Sequence, residues 1–160
     1  KRNNSRLLDY VKNGGHLVVQ YNKYEFMREQ YTPYPARINR PHDRITVEEA
    51  PVRVLEPRHQ IFRTPNRIHD ADWLNWVQER GLYFFGEWDS HFTPLLEIQD
   101  PWPYNNEPKQ GGLMITEYGR GSYIYTGLAF FRQLPAGVEG AYRLWANIIS
   151  YGKQKKLLSN

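Results

Sequence analysis

The residues best placed to do chemistry are Glu87-Trp88-Asp89-Ser90-His91, where acids, an indole and an imidazole crowd into five positions. An indole beside carboxylates suits a pyranose: the apolar ring face stacks on the aromatic ring while the hydroxyls hydrogen-bond to the acids. Glu87 and Asp89 would also suit a hydrolase acting on sugar or amide substrates, one carboxyl as acid and the other as base. Asp89, Ser90 and His91 hold the residue types of a serine triad, but adjacent residues cannot supply a triad's geometry by themselves. Arg132-Gln133 follows a β-rich run, and the planar fork of Arg132 fits an anionic or hydroxylated ligand, or else an internal carboxylate such as Glu87 or Asp89. Trp102 and Tyr104, in a proline-rich stretch, are further aromatic candidates. The ligand-binding set is therefore Glu87, Trp88, Asp89, His91, Trp102, Tyr104, Arg132 and Gln133, with packing or interface roles open for each.

His69, Asp70 and Asp72 cluster like metal ligands, yet the same residues read as a helix start, with Asp70 as cap and Asp72 favouring the helix dipole. No metal or cofactor is expected. The chain has no cysteine, which excludes disulfides, a cysteine nucleophile and a thiolate zinc site. Lysine and arginine number 21 against 17 acids, a net charge of +4. The first 80 residues hold 14 basic and 10 acidic side chains, and the last 80 hold 7 of each. Scattered single arginines, Arg37, Arg40, Arg44 and Arg53 among them, form no basic stripe, so nucleic acid is not an expected partner. No run is long and apolar enough to expect a membrane partner. Aromatics reach 15%, with five Trp and twelve Tyr, a surplus that also suits an interface and allows a homo-oligomer.

These side chains need elements to hold them. At 160 residues, 40% apolar and 24% charged, the chain is long enough for one α/β domain with its own core. Asn4 or Ser5 starts a helix with Leu7, Leu8 and Val11 on one face, and Gly14-Gly15 ends it. His16-Leu17-Val18-Val19-Gln20 then reads as an interior parallel strand. A crossover of this kind needs an earlier parallel strand, so the reading expects further sequence before Lys1. Residues 21–65 read as an irregular, proline-punctuated excursion, with a one-turn helix at the Thr46/Glu49 capping box and a short strand at Val52 to Leu55. A helix is expected from Asp70 to Arg80, with Trp73, Trp76 and Val77 inward, then strands at 82–85 and 93–98 flanking the polar-aromatic loop. Leu113 to Tyr118 and Ser122 to Leu128 form a hairpin about Gly119-Arg120-Gly121. Val138, Ala141, Tyr142, Trp145, Ile148 and Ile149 mark a closing helix that Gly152 stops, leaving 153–160 as a tail.

Three stretches carry a family resemblance. They are residues 6–22, around Asn13-Gly14-Gly15-His16-Leu17-Val18-Val19-Gln20; residues 76–83, around Glu79-Arg80-Gly81-Leu82; and residues 125–137, around Gly127-Leu128-Ala129-Phe130-Phe131-Arg132-Gln133-Leu134-Pro135. Together they resemble the glutamine-amidotransferase-like domain carried C-terminally by bacterial PIG-L/LmbE-type deacetylase proteins. The resemblance implies a flavodoxin-like three-layer sandwich, of which residues 1–152 are the C-terminal part with an irregular β-rich insertion. It also implies a deacetylase domain of the same protein as partner, and it favours a periplasmic or extracellular location over a cytoplasmic one. The deacetylases' Pro-His-x-Asp-Asp zinc motif is absent, since Pro41-His42 is followed by Asp43-Arg44. The amidotransferase triad is absent too: Tyr21-Asn22-Lys23 stands where the cysteine elbow belongs, and Phe131 and Gln133 stand where the histidine and glutamate belong. Phenylalanine neither takes nor gives a proton, so the expected role is binding or scaffolding rather than catalysis, with no catalytic residue named.

Overall fold

The computed structural model describes residues 2–23, 25–28, 30–104 and 107–158. The apolar runs build its centre. Strands β7 (Leu113–Tyr118) and β8 (Gly121–Thr126) form the expected antiparallel hairpin, and Gly119, at φ +59°, supplies the left-handed residue that its tight turn requires. Helix α1 (Asn4–Lys12) leads into β1 (His16–Gln20), which pairs with β8 in parallel from His16↔Ser122 to Gln20↔Thr126. The two-residue strand β5 (Thr93–Pro94) completes the sheet in the order β1-β8-β7-β5.

Alternation along β7 and β8 divides the interior in two. Leu113, Ile115 and Ile124 face a core completed by Phe130 of the one-turn helix α3 (Phe130–Gln133), by Ala141, Leu144 and Ile148 of α4 (Glu139–Leu158), by Ile61 and Phe62 of a 3₁₀ turn, and by Leu96 and Ile98 of β6 (Leu96–Ile98). β6 pairs with β3 (Val52–Val54) as a separate ribbon. Met114, Tyr123 and Tyr125 face the other way, against Phe26 of α2 (Glu25–Arg28), Ile38 of β2 (Ala36–Ile45) and Phe85 of β4 (Gly81–Trp88). A sheet covered on both faces by helices and ribbons is an α/β arrangement. Each fully buried large side chain, Phe84, Leu95 or Ile148 for example, contributes about 1.5–3 kcal/mol of transfer free energy. Among the described residues no helix is long and apolar enough to cross a membrane.

Several sequence expectations are corrected. β1 is an edge strand, not an interior one, and its apolar residues are half-buried. Residues 21–65 contain the ten-residue β2, with Pro41 lying where its register against β4 shifts. Thr46 and Val47 start no helix; their N–H groups donate to the buried carboxylate of Asp100 at 2.9–3.1 Å. The helix expected over 70–80 stops after a 3₁₀ turn at Asp70–Trp73, because Asn75 and Gln78 take left-handed φ of 60° and 64°. Asp72, not Asp70, caps that turn, accepting from the His69 N–H at 2.7 Å and pairing with Arg143 at 2.8 Å. The strand expected over 93–98 is two, in different sheets. α4 turns Leu144 and Tyr151 inward, leaves Tyr142 and Ile149 exposed, and runs on to Leu158. Gly152 does not stop it. A Cβ there would lie 2.2 Å from the Cβ of His16, so this glycine lets helix and strand approach. Residues 159–160 of the expected tail lie outside the described residues.

Candidate functional site

The polar-aromatic loop expected between the strands at 82–85 and 93–98 is instead largely the end of an antiparallel ribbon. Gly86, Glu87 and Trp88 continue β4, and Glu87 and Trp88 pair with Arg37 and Ala36 of β2, leaving only residues 89–92 as a loop. Across the ribbon Arg37 stands opposite Glu87, and their side chains pair at 2.7 Å in an exposed position. Ala36 stands opposite Trp88, and its small side chain leaves the space beside the half-buried indole open. That space is a groove of about 410 Å³ between α2 and the ribbon. Phe26 and Met27 supply apolar walls, Trp88 an aromatic one, and Gln30, Arg37, Glu87 and Asp89 the polar rim.

The groove's end is fixed by local bonds. The Asp89 N–H donates to the Pro35 carbonyl at 2.7 Å. Asp89 Oδ1 accepts from the His91 N–H at 2.9 Å and meets His91 Nδ1 at 2.5 Å; these bonds hold the Asp89 carboxyl below the usual carboxylate range. The His91 ring stacks on Tyr34, centroids 3.9 Å apart and planes 6° apart. His91 therefore supports Asp89 from outside the groove, and borders a separate hollow of about 290 Å³ with His59 and Tyr151.

Of the eight expected ligand residues, three line this groove: Glu87, Trp88 and Asp89. Trp102 and Tyr104 are exposed, at 80% and 58%, and line none of it. Gln133 is fully buried: its Oε1 accepts from the Val77 N–H at 2.8 Å, and its Nε2 donates to the carbonyls of Val77 and Glu79 at 3.0 and 3.2 Å. It pins the 74–80 segment. Arg132 pairs with Glu79 at 3.3 Å, rather than with Glu87 or Asp89, and also donates to the Gln78 side chain. This second cluster lies at the carboxyl ends of β1 and β8, where the Tyr21 hydroxyl donates to Glu79 at 2.8 Å. Burial, with Glu79 beside it, raises the Tyr21 pKa well above the ordinary phenol value. Tyr21 takes φ 51° immediately after β1, a conformation uncommon for a bulky residue.

Sequence reasoning missed Phe26, Met27 and Gln30 of the groove and left Arg37 out of the ligand-binding set. The first two gave only a weak signal, on a four-residue helix, and Arg37 is separated by fifty residues from the acid it pairs with.

No protein-family model matches the chain, and no curated protein matches it. Among solved structures the chain is similar to "Cytoplasmic Protein STM3548 from Salmonella typhimurium", with 16% identity and a TM-score of 0.59 over 92% of this chain. The chain spans 59% of that protein's length. The likeness shows a shared α/β fold. It also corrects the periplasmic or extracellular location favoured above, since the neighbour sharing the fold is named as cytoplasmic.

Proposed function

We propose that the chain is a non-catalytic carbohydrate-binding domain, or one that scaffolds a PIG-L/LmbE-type N-acetylglucosaminyl deacetylase, and that the Trp88 groove is where a saccharide sits. One observation carries the reading: a half-buried indole forms a wall of a groove whose rim holds an amide, a guanidinium and two carboxylates. Stacking on the indole supplies the non-directional part of binding, and the rim supplies hydroxyl recognition. The carboxylates suit hydroxyl acceptors better than a hydrolase's acid and base. Glu87 is ion-paired, and Asp89 is held below the usual range, whereas a general acid at neutral pH needs a raised pKa.

The flavodoxin-like, amidotransferase-like reading has separate support. α1 leads into β1, which lies parallel to β8, and Tyr21 makes a left-handed turn where such a fold places its elbow before a helix. In that reading the open edge of β1 is where further strands of the sheet attach, and where a deacetylase domain or a second copy would dock.

Titration of N-acetylglucosamine oligomers and peptidoglycan fragments, followed by tryptophan fluorescence, tests the groove. The wild-type signal should saturate, and Trp88→Ala should weaken binding about tenfold or more, the loss of roughly 1.4 kcal/mol or more of contact. No response in either protein removes the carbohydrate reading.

A further inference from the structure

A second, larger cleft adjoins the groove. It encloses about 1050 Å³ and shares Met27, Arg37 and Glu87 with its neighbour, so the two hollows meet at the Arg37–Glu87 pair. Its charges do not cancel. Glu87 is taken by Arg37 at 2.7 Å, and Asp43 and Glu107 are both taken by Lys109, at 3.0 and 3.3 Å. Those pairs use every carboxylate that lines the cleft. Arg40 and Arg44 also line it, and among the described residues neither has a carboxylate within ion-pair distance. Both are exposed, so their guanidinium groups are hydrated and free to turn toward a ligand.

The chain's basic excess lies in its first half, and β2 gathers Arg37, Arg40 and Arg44 on one wall of this cleft. A guanidinium presents a planar fork that matches an oxyanion bidentately, and a cleft with net positive charge draws anions in.

We infer that the saccharide is an acidic one, its ring on Trp88 and its carboxylate, sulfate or phosphate substituent on a neighbouring unit held by Arg40 and Arg44. This inference rests on the carbohydrate reading of the groove and names the ligand class for it.

The test compares tetrasaccharides of equal length by isothermal titration of the whole chain: neutral chitotetraose, a tetragalacturonate carrying carboxylates, and a sulfated heparin-derived tetramer. At 50 mM salt at least one acidic tetramer should bind ten times or more tighter than the neutral one, with a preference that shrinks at 300 mM salt. Arg40→Gln with Arg44→Gln should bring acidic affinity down to the neutral level, and Trp88→Ala should weaken both kinds of ligand. The carboxylate and sulfate arms identify which substituent fits. Equal affinity for neutral and acidic tetramers, or a preference that survives the double substitution, overturns the inference and leaves the Trp88 reading standing. Absence of binding by every tetramer overturns both. Acidic binding that is undiminished by Trp88→Ala also overturns the inference, since the ring would not then lie on the indole. Both arginines are exposed, and an unchanged circular dichroism spectrum checks that the double variant keeps the fold.

Discussion

Tyr123 and Tyr125 stand two residues apart on β8, point to the same core, and differ in one bond. The Tyr125 hydroxyl donates to the Tyr83 carbonyl at 2.5 Å, while the buried Tyr123 hydroxyl has no partner among the described residues. An unsatisfied buried hydroxyl costs free energy, and a satisfied one leaves a carbonyl stranded when removed. Tyr123→Phe should therefore hold or raise stability, by up to about 1 kcal/mol, while Tyr125→Phe lowers it by about 1–3 kcal/mol; urea unfolding of both variants checks the opposite signs. Arg80 makes a larger case. It is 3% exposed, its guanidinium donates to the carbonyls of Ala50 and Trp73 and lies 5.4 Å from the Trp76 ring, and burial pulls its pKa down to about 10. Arg80→Ala should cost about 2–4 kcal/mol by leaving those carbonyls unpaired beside a cavity, seen as a lowered Tm. At this scale sequence reasoning picked out Glu87, Trp88 and Asp89, which line one groove, because side-chain chemistry is local. It misassigned Gln133 because burial and hydrogen-bond partners are not.

Elements owe their limits to bonds that cross the chain. The Trp73/Trp76 spacing suggests a helix through Arg80, yet the 74–80 segment is held in a looped form by the Gln133 amide. Gln133→Leu should lower stability by about 2–4 kcal/mol and speed amide exchange across 75–80, where a regular helix would retain its own protection. β1 is fastened likewise. The His16 Nε2–H donates to the Ile148 carbonyl at 2.9 Å, so in the neutral ring Nδ1 accepts from the Ser122 hydroxyl at 2.7 Å. Burial lowers the His16 pKa below 6.5, as it does for His59. Below pH 6.5 the unfolded chain therefore takes up protons that the folded chain resists. Stability is full above that pH and should fall as pH drops toward 5. Urea midpoints measured from pH 7.5 to 5 should show the decline, and His16→Asn should flatten part of it while lowering stability at pH 7.5. A stability that rises on acidification would contradict this account of both rings.

Among the described residues the four-stranded sheet ends on an unpaired edge at β1. The Ser122 N–H donates to the Gly15 carbonyl and the Tyr21 N–H to the Thr126 carbonyl, which turns the backbone N–H and C=O groups of the odd-numbered residues of β1 toward β8 and leaves those of His16, Val18 and Gln20 pointing away from it. No lysine, proline or bulge protects that edge among the described residues. The isolated chain should self-associate in sedimentation experiments at high concentration, and Gln20→Pro, which removes an outward donor at an exposed position, should weaken that association. The hairpin of β7 and β8, the burial of Trp73 and Trp76 and the α/β class were legible in the sequence, since alternation, glycine turns and apolar runs act over a few neighbours, whereas Val77, expected inward with them, is exposed. Only the tertiary structure decided that β4 pairs with a strand beginning at Ala36, that Glu79 rather than Glu87 holds Arg132, and that scattered arginines gather around one cleft. Those outcomes join residues dozens of positions apart, and pairings of that kind leave no periodic signal in the sequence.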